Sequence, residues 1–454
     1  MKYVENIIIG TGLSSLGCAY TLLSNKKKFI ILEASSRKNK ILNSKKIYFD
    51  KDGTPKKLNK RNHLDILTTK MFGGNSLIWG ANSLRLFKSQ FAGWPINYNQ
   101  MKKYYIRAEK ILNVKHFDDE ISNYLKIKKF SNDNLFFYDD FIKEKIKKIH
   151  NGNFIFGLAR LALNNKLKVY TSHQWFESLL LKKKIKIKFN TEVISFNRYK
   201  NLIKVNLKGK KNNLICNNLF ICAGSISTSK IVMNSCEGID LKAKENSYFI
   251  APCIFTERNN KKINNNDLSQ IQVFDKKLGI YSELKYAPCL LKKVLKRKFN
   301  ILSKFIPNKL INKIYIINGF LPDKLNPYDL ILRKNKSSNN FNIRWVKKNI
   351  SIKNSKKIIT KFIKNLSKKL NFIYLPGLIR YYDKGRSYHI GSTIPMVNKS
   401  RKFKIFSNKK GQLNFNKKII ICDSANFTNL PSCSVGLTII ANSMRVTEKN
   451  INQK

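Results

Sequence analysis

Acidic side chains, histidine and arginine are all in short supply in this chain. Its 454 residues carry 27 Asp and Glu against 88 Lys and Arg, with only five His. The resulting net charge of +61 would suggest a nucleic-acid or anionic-membrane partner. Yet the excess is nearly all Lys, spread along the whole length beside much Asn, Ile and Phe, which is the mark of a compositional bias. Specific readers of base edges favour Arg, and no nucleic-acid-binding motif occurs, so no nucleic-acid partner is expected. The charge would still draw anionic substrates and membrane surfaces in a salt-dependent way. None of the eight Cys stand in C-x-x-C spacing, and several sit inside apolar runs. That argues against a disulfide framework or zinc module and for reduced core residues. His, Cys and carboxylates nowhere gather at ligand spacing, so no metal is expected. No apolar run approaches the length of a membrane span. Met1 leads straight into a strand-like stretch without a signal peptide, so a cytoplasmic location is the expectation.

What is present begins at once. Residues 4–33 read VENIIIGTGLSSLGCAYTLLSNKKKFIILE. Ile7, Ile8 and Ile9 form the short apolar run of a buried parallel strand. Gly10 and Gly12 follow, then a helix-like stretch from Leu13 to Leu23, then a second apolar run from Phe29 to Leu32 ending on Glu33. Gly10 suits a tight turn, and Gly12 lets the backbone approach a pyrophosphate at a helix N-terminus, where free N–H groups and the dipole favour anions. Glu33 stands where a carboxylate would accept hydrogen bonds from a ribose. The third position of the usual glycine pattern is Ser15, small enough for close packing, with Gly17 two residues on.

Further along, Gly73-Gly74-Asn75-Ser76 precedes Trp79-Gly80, and the paired glycines suit a backbone that passes close to a flat ligand. Trp94-Pro95 opens a helically spaced segment through Met101, Tyr104, Tyr105, Ala108 and Leu112. Strand-like stretches recur at 184–194, 203–207 and 219–222, the last ending on Ala223-Gly224. The stretch 37–70 reads as a polar surface excursion. Between Leu284 and Lys313, apolar residues recur at roughly helical spacing among Lys and Arg. A basic amphipathic helix there could lie on an anionic membrane surface or pack on its own domain.

Taken together, these blocks and the C-terminal run resemble the glucose–methanol–choline (GMC) oxidoreductases, FAD enzymes that oxidise alcohols, and most closely their shorter bacterial members. Gly10 to Glu33 corresponds to the family's ADP-binding unit. Gly73 to Gly80 is similar to its flavin-side loop, and Ala223 to Thr228 to its A-G-x-x-x-S/T element. Ser387-Tyr388-His389-Ile390-Gly391-Ser392-Thr393 resembles the H-x-G-T/G-T active-site segment. Residues 419–425 and 437–446 resemble the closing run that carries Asp423 and a helix aimed at the flavin.

The resemblance implies an α/β protein: a Rossmann-like FAD-binding domain with an inserted α+β substrate domain carrying an antiparallel sheet. The FAD domain would comprise 1–110, 185–240 and 380–454, and the substrate domain 111–184 and 241–379. It implies non-covalent FAD held by Gly10, Gly12, Glu33, Gly74, Asn75, Ser76, Val193 and Asp423. Alcohol oxidation needs a base that is neutral near pH 7, and His389 is the one His within a matching motif. The family's second catalytic side chain, Asn or His, falls on Ser434, whose reach is shorter. The expected substrate is a sugar, polyol or other alcohol, anionic or lipid-linked if the charge is functional, with an electron acceptor the sequence does not name. The Ser434 departure leaves one alternative standing, a catalytically silent FAD-binding protein, and the charge leaves another, a peripheral membrane-surface binder using 284–313 at the inner face of the membrane.

Overall fold

The computed structural model describes residues 2–38, 70–131, 137–149, 152–209, 213–236, 238–258, 268–286, 288, 292, 296, 307–334, 341–382, 389–398 and 403–451. Most of the polar stretch 37–70, most of 284–313, and Ser387 and Tyr388 lie outside these. Of the basic stretch, residues 284–286 finish a strand, Pro288, Lys292 and Lys296 are helical, and Asn308–Ile311 form a single helical turn.

The protein has an α/β fold built on three sheets. The first has eight strands in the order Gln412–Leu413, Asn416–Ile421, Leu214–Ile221, Lys2–Ile9, Phe29–Leu32, Ile187–Lys188. From Asn416–Ile421 onward the pairing is parallel. A hairpin of Val193–Tyr199 and Leu202–Leu207 joins the N-terminal half of Leu214–Ile221. The continuous apolar run of Lys2–Ile9 has a plain cause: both faces are covered. Ile8 joins a core with Leu16 and Leu437, while Ile7 and Ile9 pack into a second core with Leu219 and Ile226. Helix Leu13–Ser24 lies against the C-terminal helix Gly436–Ile451. A Cβ on Gly17 would stand 2.5 Å from the Ile440 carbonyl oxygen, so only glycine permits this approach.

The second sheet is antiparallel and seven-stranded. Its order is Ile373–Tyr374, Tyr248–Ile254, Ile314–Phe320, Tyr281–Tyr286, Ser269–Asp275, Phe154–Leu158, and Arg380–Tyr382 also pairs with Tyr248–Ile254. One face is closed by helix Ile352–Leu370 through Ile359, Phe362, Ile363, Leu366 and Leu370. The other face looks at the domain of the first sheet, where Tyr248, Phe274, Tyr281 and Phe320 share a core with Ile8 and Leu16. Strand alternation therefore sends Leu284 and Tyr286 to the helix side, and Tyr281, Glu283 and Lys285 toward the first domain. A third sheet orders Phe341–Lys347, Tyr328–Lys334, Leu241–Glu245 and Ile390–Gly391. It pairs Leu241–Glu245 with Ile390–Gly391, across the boundary expected at 380. No helix among the described residues is long and apolar enough to cross a membrane.

Candidate active site

Above the C-terminal ends of the parallel strands lies a cavity of about 780 Å³. Its lining runs from Glu33 and Val193 at one end, past Gly10 and Gly12, to His389 and Val435 at the other. Gly10 makes the turn out of the first strand with φ +93°, and a Cβ there would stand 2.9 Å from the Cys222 carbonyl oxygen. Gly12 caps helix Leu13–Ser24 without a side chain. A Cβ on Gly12 would meet nothing within 4 Å, so this residue borders open space in the cavity wall. Gly74, with φ +54°, comes within van der Waals reach of Gly12, since a Cβ on it would lie 3.3 Å from the Gly12 Cα.

A hydroxyl network holds the two glycine turns together. Thr11 Oγ1 donates to Glu33 Oε2 at 2.5 Å and accepts from the Gly73 N–H at 2.9 Å. Ser76 Oγ donates to the Gly73 carbonyl at 2.7 Å and accepts from the Ser172 N–H at 3.0 Å. Ser172 Oγ sits 2.9 Å from the Thr11 carbonyl oxygen. Ser76 therefore fixes the loop through its side chain, while Asn75 beside it is exposed along the cavity wall. Thr11 and Ser172 were not singled out by sequence. Thr11 between two glycines was a visible signal, whereas Ser172 opens a helix remote in sequence.

Glu33 is 5 % exposed. Burial pushes its carboxyl pKa up, against hydrogen bonds from Thr11 and from the Ser35 N–H and hydroxyl. Thr191 N–H donates to the Glu33 carbonyl at 2.8 Å, which brings Val193 to the same end of the cavity. Asp423 follows strand Asn416–Ile421. It accepts from the Gly224 N–H at 2.9 Å, Thr228 Oγ1 at 2.5 Å and the Ala425 N–H at 2.9 Å. Its Oδ2 thus organises the Gly224 turn, where helix Ser225–Ser235 begins facing the cavity, while its Oδ1 caps its own turn at Ala425. Burial raises Asp423 to about 6. Two helix N-termini border the cavity, at Leu13 and Ser225, and both favour a bound anion. The expected lack of thiol clustering holds along the sequence but not in space: the Sγ atoms of Cys18, Cys222 and Cys422 lie within 4.8 Å of one another in the core below the Gly10 turn.

At the far end, His389 lines the cavity and stacks on Phe320, with ring centroids 4.7 Å apart at 18°. Burial pushes its pKa down to about 4; the Glu283 charge pulls it up and that of Lys285 pushes it further down. The imidazole is neutral near pH 7. Ser434 precedes the C-terminal helix, and its hydroxyl donates to Glu283 Oε1 at 2.7 Å. Glu283 is the residue that the sequence reading missed. It is 1 % exposed and also accepts from Tyr281 at 3.0 Å, Asn82 Nδ2 at 2.8 Å and Ser269 at 3.0 Å. Lys285 Nζ lies 3.5 Å from its Oε2. The alternation of Tyr281 to Tyr286 was the available signal, but which domain would cover that face was not readable. Gly436 opens the last helix against the Trp79 ring, where a Cβ would stand 2.6 Å from the indole.

The arrangement defines a parallel-sheet domain roofed by an antiparallel sheet, with a half-buried imidazole in the cavity between them. No family model matches the chain, and no curated relative matches it. Among solved structures it is similar to pyridoxine 4-oxidase from Mesorbium loti, with a TM-score of 0.64 over 99% of each chain at 10% identity. At that identity the likeness is one of fold.

Proposed function

We propose that the protein is an FAD-dependent oxidoreductase of the GMC type that oxidises the CH–OH group of an alcohol. One observation carries the reading: a single cavity extends from the Glu33 carboxylate, past two glycine turns and two helix N-termini, to His389. The residues present fit a non-covalent FAD. Gly12 and Gly224, where a Cβ would meet nothing within 4 Å, would leave room for its pyrophosphate, Gly10 and Gly74 would shape the turns beside it, Glu33 and Val193 would border the adenosine end, and Asn75 and Ser76 would belong to the loop beside the ring. Asp423 acts by holding the Gly224 turn. When bound, FAD supplies the hydride acceptor.

His389, held neutral by burial, accepts the hydroxyl proton of the alcohol. Phe320 fixes the plane of its ring. Ser434, with its proton directed to Glu283, presents lone pairs rather than a donor. The class of alcohol follows from the resemblance, as a sugar or polyol. Pyridoxine joins the list because of the named structural neighbour. A silent flavoprotein is the second reading, favoured by the engagement of the Ser434 hydroxyl with Glu283.

The test is an anaerobic absorbance scan of wild type and His389→Ala against sugars, polyols and pyridoxine. A yellow wild type bleached by one of them, beside a yellow variant that is not, supports the dehydrogenase reading. A yellow protein that nothing bleaches favours the silent flavoprotein. A colourless protein that FAD cannot reconstitute overturns both.

A further inference from the structure

Helix Ile352–Leu370 carries seven Lys and no Asp or Glu. Its buried stripe is fixed by Ile359, Phe362, Ile363, Leu366 and Leu370 on the outer face of the antiparallel sheet. Phe362 meets Phe249 of that sheet with ring centroids 5.9 Å apart. The opposite side is a row of exposed Lys353, Lys356, Lys357, Lys361 and Lys364. Lys353 and Lys357, Lys357 and Lys361, and Lys364 and Lys368 are like-charge pairs four residues apart, which repel one another on a helix surface. Among the described residues no ion pair involves any of these lysines. The row is a concentrated positive face that an external polyanion would relieve.

The chain then turns at the sheet edge. Ile373–Tyr374 and Arg380–Tyr382 both pair with Tyr248–Ile254, and the turn between them projects Leu375-Pro376-Gly377-Leu378, all four exposed. Ile373, Leu375 and Leu378 are 52%, 48% and 44% exposed. Leu310 is also exposed, in the turn of helix before Ile314, which shares Ile254 as pairing partner with Ile373. The Leu378 N–H closes the turn on the Leu375 carbonyl at 2.9 Å, so the projecting backbone is partly satisfied internally. Lys356 Nζ stands 5.8 Å from the Tyr381 ring, which places the lysine row beside this edge.

Large apolar side chains exposed next to a face of one charge sign fit an anionic lipid bilayer: the leucines enter the headgroup boundary while the lysines meet the headgroups. We infer that this edge of the second domain is a docking surface for an anionic membrane. The inference goes beyond the proposed activity and does not depend on it. A polyanion such as RNA would use the lysines but has no use for the leucines.

The test is flotation of the full-length protein with phosphatidylcholine vesicles, with and without 30% phosphatidylglycerol as a chosen probe composition. Three variants are compared, each first checked for an unchanged melting temperature. The first is Lys353→Glu/Lys357→Glu/Lys361→Glu/Lys364→Glu, the second Leu375→Ser/Leu378→Ser. The third is a control with the same charge change elsewhere, Lys28→Glu/Lys102→Glu/Lys110→Glu/Lys184→Glu. The expected result is binding to anionic vesicles only, reduced about tenfold or more in the first variant, several-fold in the second and less than twofold in the control. An equal loss in the control would mean that the overall charge binds diffusely and would overturn the assignment. So would an unchanged leucine variant, which would point to a polyanion, and so would absence of binding by the wild type.

Discussion

Glu283 offers the sharpest test of the site, because its four hydrogen-bond donors differ in what they can do when the charge is removed. Asn82 Nδ2 can only donate; it faces Oε2, as does the Ser269 hydroxyl, with the Lys285 charge beside them. Ser434 and Tyr281 are hydroxyls and both face Oε1. Glu283→Gln should therefore place its carbonyl oxygen toward Asn82 and its amide toward Ser434 and Tyr281, whose hydroxyls can turn and accept. The swap reverses the polarity of Ser434, freeing its proton. Hydrogen bonds to a charged acceptor contribute about 1.5–3 kcal/mol and neutral ones about 0.5–1.5, but the amide also escapes the desolvation cost of a buried charge. A net destabilisation of about 1–2 kcal/mol is expected. Glu283→Ala strands all four donors and the Lys285 charge, at about 3–5 kcal/mol. Urea unfolding at pH 7 measures both. Equal losses for Gln and Ala, within about 0.5 kcal/mol, would refute the geometry. The same variant has an electrostatic readout. The Glu283 charge raises the proton affinity of His389, so Gln should lower a His389 pKa that already lies near 4. With only five His in the chain, 13C-labelled imidazole NMR, assigned with His389→Ala, follows that titration directly. A wild-type His389 titrating near 6.5, the ordinary value, would contradict its burial.

Three further outcomes follow from the packing and the proton affinities. Gly17→Ala drives a Cβ into the Ile440 carbonyl and should destabilise the fold by about 1–3 kcal/mol, whereas Gly12→Ala, open on its outer side, should leave the melting temperature of the FAD-free protein nearly unchanged and weaken FAD binding; thermal melts with and without FAD separate the two. Asp423 ionises near 6 in the folded protein against 3.8 otherwise, so the folded state binds the extra proton between those values and stability from this group falls as pH rises through them. The gap corresponds to about 3 kcal/mol, and the difference in unfolding free energy between wild type and Asp423→Asn should change by about 2 kcal/mol from pH 4 to pH 7; no change would sink the assignment. If His389 is the base, the rate of flavin reduction should hold level down to about pH 5 and fall only near 4, a stopped-flow profile distinct from that of an exposed His.

What the sequence made legible were the features whose causes are local. Three consecutive isoleucines mean a strand covered on both faces, and Gly10 follows because the chain must turn with positive φ under the Cys222 carbonyl. The same locality limits what can be read about roles. Asp423 at the end of an apolar strand could be placed near the cavity, but its bonds to Gly224 and Thr228 join residues 199 and 195 positions away. Ser76 was expected to contact the cofactor; it lines the cavity, and its hydroxyl also secures the loop to Ser172, 96 residues distant. Ser434 is the strongest case. A serine in place of Asn or His reads as a lost side chain when viewed along the chain, and in space it is one arm of a buried carboxylate network whose centre comes from the other domain, 151 residues away. The serine at one position and the unforeseen carboxylate at another are therefore read together, because one hydrogen bond joins them. On the proposed activity, the direction of the Ser434 proton decides whether the hydroxyl can donate to a substrate, and Glu283→Gln reverses it while leaving shape and volume nearly intact.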